Sequence, residues 1–95
     1  MKKVHMYIDQ IHEELEGARH YAEKYIEYIS EKPQWARMYS EMASAELTHA
    51  DYVRTMAQEF INGLNWMPEE CSEKWEHTQK VYADETALVK MMLSR

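Results

Sequence analysis

The chain is poor in the residues that punctuate a sequence. Its 95 residues include two glycines, two prolines and one cysteine. Sandwiches and barrels need a turn every ~8–12 residues, and so few turn formers exclude them. Gly17 and Gly63 stand 46 positions apart, so neither a phosphate-cradling loop nor a dinucleotide fingerprint can be written around them. A lone Cys71 allows no internal disulfide and no cysteine-based zinc site. It reads as a small, semi-buried apolar residue, consistent with a reducing compartment. No run approaches the ~18 consecutive apolar residues of a membrane span. Asp9, Glu13 and Glu14 follow Met1-Lys2-Lys3 too closely for a signal peptide. These features set the expectation of a cytoplasmic location. Eleven basic against 17 acidic residues leave a net charge of −6, and no basic cluster exceeds two residues, so nucleic acid is not an expected partner.

What is present is helical periodicity. Val4, Ile8, Ile11, Leu15, Ala18, Ala22, Tyr25 and Ile29 recur at steps of three and four, which predicts a helix from about Lys3 to Ile29. Pro33 breaks it and opens a second helix, to about Ile61, whose apolar stripe reads Trp35, Met38, Met42, Ala45, His49, Val53, Met56 and Phe60. Asn62-Gly63 is expected to stop that helix with the glycine left-handed. A third helix is expected over about 68–93, with Glu69 and Glu70 at its positive N-terminal end and Cys71, Trp75, Thr78, Val81, Leu88 and Met92 on its buried face. Helices 1 and 2, nearly equal in length and joined by a short connection, should form an antiparallel hairpin. The expected fold is all-α, one domain over 1–95. Either helix 3 closes a three-helix core, or two chains meet to complete a four-helix bundle.

Most carboxylates fall off these apolar stripes, but two on the hairpin do not. Glu14 has Ile11, Ala18 and Tyr21 as its helical neighbours. Glu46 follows Met42 by four, and His49 follows Glu46 by three. Glu-x-x-His places both side chains on one helix face, about one turn apart. An inward carboxylate is costly unless it is paired, hydrogen-bonded or bound to a cation. With the hairpin turning near Lys32, Glu14 lies 18 residues before the turn and Glu46 14 after it, a mismatch of about 6 Å at ~1.5 Å per residue. The three side chains can converge on one ion. Oxygen-rich donors with one imidazole suit iron or manganese and also accept zinc. One Glu plus one Glu-x-x-His is half the ligand set of a di-iron carboxylate bundle.

The run Glu14-Leu15-Glu16-Gly17-Ala18-Arg19-His20-Tyr21 resembles the first metal helix of the ferritin-like superfamily, bacterioferritins and rubrerythrins included, in which a ligand Glu precedes a Tyr by seven. Glu46-Leu47-Thr48-His49-Ala50-Asp51 is similar to their Glu-x-x-His-Ala helix, and Glu13-Glu14-Leu15-Glu16 is similar to the helix 1 motif of the encapsulated ferritins. Helix 3 carries only Trp75-Glu76-His77 as a likeness to their last helix. Where those proteins place an aromatic before the tyrosine, this chain has His20.

The resemblance implies Glu14, Glu46 and His49 as ligands of a di-iron site shared between two subunits. It places Tyr21 beside them and makes Glu13 and Glu16 outer acidic residues that guide iron inward. It implies oxidation of ferrous iron for storage or detoxification, in a homodimer or larger homo-oligomer that could sit inside a nanocompartment shell. A rubrerythrin-like peroxidase and a non-catalytic metal-binding or assembly module are the alternatives. Glu85, among Val81, Leu88 and Met92, is a third inward carboxylate, read as an accessory ligand or, with more weight, a stripe-edge salt bridge. His5, His12 and His77 read as surface or interface residues, and the eight methionines as core filler rather than a copper site.

Overall fold

The computed structural model describes residues 1–95. Three helices account for almost all of them: α1 (Lys2–Tyr28), α2 (Pro33–Asn62) and α3 (Glu69–Leu93). The expected boundaries hold to within a residue or so, and no strand is present. Pro33 opens α2 as anticipated, whereas Pro68 is the cap of α3 rather than its first residue. One detail differs at Gly63. Its φ is −84° and ψ −5°, right-handed, and no residue of the chain has a positive φ. The helix ends instead by tightening: Gly63 N–H donates to the Phe60 carbonyl at 3.2 Å and Leu64 N–H to that of Ile61 at 3.0 Å. Bonds of this i→i+3 type use up terminal carbonyls without a left-handed residue.

The chain runs up, down and up. α1 and α2 form the antiparallel hairpin, with Tyr7 beside Phe60 at its open end and Tyr28 beside Trp35 at its closed end. α3 returns parallel to α1, as the pairings His12–Thr78 and Arg19–Glu85 show. It lies mainly along α1 and meets α2 through long side chains: Trp75 Nε1–H donates to Gln58 at 3.4 Å and the Tyr82 hydroxyl to Asp51 at 3.3 Å.

The core comes from unequal contributions. α1 buries Val4, Ile8, Ile11 and Leu15 and then, nearer the turn, Ala18 and Ala22. α3 buries Cys71, Trp75, Thr78 and Val89. α2 buries Ala36, Ala43, Ala50 and Ala57, with Val53. Those four alanines are seven residues apart, two helical turns, so they form one row whose small side chains let the backbones of α1 and α2 approach closely.

This corrects the stripe read from the sequence of helix 2. Trp35, Met38, Met42 and Met56, expected inside, are 41–52% exposed, and Ala45 and His49 are exposed as well. Only Val53 of that stripe is buried, with Phe60 half-buried. α2 therefore carries two apolar rows, an alanine row against α1 and a methionine and aromatic row open to solvent. Methionine is not chiefly core filler in this chain: Met6 and Met91 are exposed too. On α3, Val81, Leu88 and Met92 are half-buried and Val89, which was not anticipated, is fully buried. No helix is long and apolar enough to cross a membrane.

Candidate metal centre

Glu14 on α1 meets Glu46 and His49 on α2 midway along the hairpin. The level is where the large side chains of the core, ending at Leu15, give way to the alanine cluster beginning at Ala18. His49 presents Nδ1 to both carboxylates, 3.1 Å from Oε1 of Glu46 and 3.5 Å from Oε2 of Glu14. One ligand atom from each residue lies within 4.8 Å of the other two. The carboxylate side chains are 19% and 24% exposed and the imidazole 53%, so the acids sit in the hairpin groove and the histidine stands at its lip.

The close approach of the helices has a single small residue behind it. Gly17 lies one turn beyond Glu14 and faces the Glu46 carboxylate. A Cβ at position 17 would collide with Oε2 of Glu46 and stand 3.3 Å from its Cδ. The signal was available in the sequence: a glycine inside a 27-residue helix costs roughly 1 kcal/mol against alanine and calls for a local reason. Here the missing side chain is the space the second carboxylate occupies.

Two carboxylates facing one another without a cation repel. Burial pushes the Glu14 carboxyl up from its ordinary value, the hydrogen bond and negative charge of Glu46 push it further, and His49 draws it partly back. A divalent cation among the three would offset that repulsion. The donor set therefore fits a metal of the iron, manganese or zinc kind: two hard oxygen ligands and one imidazole, converging from opposite helices.

The other anticipated residues distribute as follows. Tyr21, two turns from Glu14 on the same helix, is half-buried and stacks on Tyr39 at 6.1 Å between ring centroids. Tyr39 in turn stacks on Tyr28 at 5.9 Å, which meets Trp35 edge-on at 5.3 Å. Glu13 is exposed on α1 next to Glu14. Glu16 is not brought to the three ligands: it lines the cleft between α1 and α3 with Arg19, His20 and Glu85. Glu85 is engaged there, its carboxylate 3.1 Å from Arg19 Nη1, so it is the stripe-edge salt bridge and not a member of this cluster. Nor is any of His5, His12 and His77.

Around His49 the surface is apolar. Met42 precedes it by seven residues and Met56 follows by seven, with Tyr52 between, 61% exposed. Trp35, Met38, Tyr39 and Met42 line an open apolar groove toward the hairpin turn. The imidazole thus emerges in the middle of an uncovered row of large side chains. No protein-family profile, curated protein or solved structure matches the chain, so the reading of the centre stands on its own residues.

Proposed function

We propose that this chain is half of a di-iron carboxylate protein, completed by a second copy of itself, and that ferrous iron is its substrate. The observation that carries the reading is the convergence of Glu14, Glu46 and His49 within 4.8 Å at the centre of an exposed apolar face. Two metal ions in a helical bundle use about four carboxylates and two histidines, twice what one hairpin offers. A two-fold contact would bring the same three residues from the partner and cover the methionine row at the same time. The ferritin-like likeness of the two motifs supports the same conclusion.

In this reading Glu14 and Glu46 hold the ions and stabilise the ferric state through their negative charge, and His49 completes each ligand sphere. Two ferrous ions together supply the two electrons that reduce one peroxide, with two protons, to two waters; dioxygen is the alternative oxidant. The product is ferric iron, for detoxification or, in the presence of a larger shell, storage. Gly17 keeps the groove open for Glu46, and the apolar rim limits water around the site.

The test is anaerobic titration with ferrous iron followed by oxygen or peroxide, read by the rise of ferric absorbance. The parent should bind iron and oxidise it with a rate that saturates in iron. Glu46→Ala and His49→Ala should abolish tight binding, whereas Glu13→Ala should not. Oxidation at the rate of free iron in all four proteins would contradict the proposal, as would Glu13→Ala proving as damaging as Glu46→Ala.

A further inference from the structure

Three of the five histidines of the chain line one cleft that has no part in the centre described above. His5, Asp9 and His12 recur at steps of four and three along α1 and so form one row on its flank. α3 adds His77 and Lys74 to the same cleft, about 390 Å³ in volume. The register is fixed next door, where His12 Nε2 lies 3.4 Å from the Thr78 hydroxyl, so His77, one residue earlier, stands at nearly the level of His12. His5 and His12 are half-buried; Asp9 and His77 are exposed and free to turn.

We infer that this cleft is a second metal site, in which His5, Asp9, His12 and His77 close on a borderline divalent ion such as zinc; as placed, their donor atoms are not gathered as those of Glu14, Glu46 and His49 are. Three imidazoles and one carboxylate are the donors zinc takes in tetrahedral sites, in contrast to the carboxylate-dominated set around Glu14. The spacing permits it. His5 and His12 stand four residues before and three after Asp9, so an ion above Asp9 lies about 6 Å and about 4.5 Å along the helix axis from them, near the limit of a histidine side chain's reach. His77 closes the fourth side from α3. Binding requires the His12 ring to exchange its contact with Thr78 for the ion, and the exposed side chains to turn inward. Lys74, the one cation on the cleft wall, opposes an incoming ion. A bound zinc would tie α3 to α1 at the end of the bundle where the chain enters α3.

The inference is independent of the iron reading and is tested on a chain in which that centre has been removed, Glu46→Ala/His49→Ala. Calorimetric titration with zinc chloride should show one zinc per chain and a raised melting temperature. Adding His77→Ala or His12→Ala should weaken binding tenfold or more and erase the thermal shift. Lys74→Ala should strengthen binding, and His20→Ala, exposed on the same helix outside the cleft, should leave it unchanged. All of these side chains are partly or fully solvent-exposed, and circular dichroism of each variant checks that its helices are kept. Failure of the background chain to take up zinc, or uptake indifferent to His77→Ala, would overturn the inference.

Discussion

At the scale of single residues, the centre is a balance between like charges and the space given to them. Gly17 supplies the space. Replacing it with alanine should have opposite effects on two measurements. The metal-free chain should melt at higher temperature, because alanine is favoured over glycine in a helix by about 1 kcal/mol. Metal affinity should fall by on the order of tenfold, the usual penalty for disturbing how a ligand is held, since the new methyl displaces the Glu46 carboxylate. Parallel thermal melts and metal titrations check both, and unchanged affinity would show that Glu46 needs no gap on α1. The charges make a separate prediction. Glu14 holds its proton more tightly in the folded chain than in the unfolded one. Above the ordinary glutamate range the folded state therefore carries the extra proton, and stability falls as pH rises through the raised folded value. Metal-free protein should lose melting temperature from mildly acidic toward neutral pH, and Glu14→Gln should lose less. Equal pH profiles for parent and variant would remove Glu14 from the account.

At the scale of the elements, the sequence revealed more about where helices run than about which way they face. Three helices, their boundaries and the antiparallel hairpin follow from periodicity and from Pro33, because those signals are local. The facing of α2 does not. Its methionine and aromatic row and its alanine row are both apolar and lie on neighbouring sides of one helix, and periodicity weighs the larger residues more heavily. The structure buries Ala36, Ala43, Ala50 and Ala57 instead, since only small side chains permit the approach that brings Glu14 to His49. The trio was legible because a carboxylate beside an apolar stripe is an anomaly visible in one dimension. Gly17 shows in the sequence only as an anomaly, a glycine in mid-helix, because its role lies in a contact across two helices, and the left-handed conformation expected of Gly63 is made unnecessary by its i→i+3 bonds. The alanine row yields a test of its own. Ala50 is fully buried, and Ala50→Leu should destabilise the chain by about 1–3 kcal/mol through overpacking. In urea the unfolding midpoint should drop with little change in slope, and metal binding should weaken as the helices are pushed apart. A variant as stable as the parent would mean that the close packing of α1 on α2 is not what positions the site.

At the scale of the whole molecule, the chain is a rod of 53 × 16 × 16 Å rather than a ball. Its radius of gyration is 15.4 Å, against the ~12 Å expected for a compact domain of this length. Only 15 of its 95 residues are buried, a small core for a chain that must hold two carboxylates together. A second copy laid along the methionine row of α2 would thicken the rod, cover Met38, Met42, Tyr52 and Met56, and double the ligand set in one step. An ion held only by the pair then favours association by mass action. The measurement that tests this most directly is sedimentation of metal-free and iron- or manganese-loaded protein at low concentration, with metal counted in the sedimenting species. The account predicts a dimer fraction that rises with metal, two ions per dimer, and the loss of both effects in His49→Ala. A monomer that holds two ions unaided would contradict it, as would a dimer whose association ignores metal and whose His49→Ala variant carries as many ions as the parent.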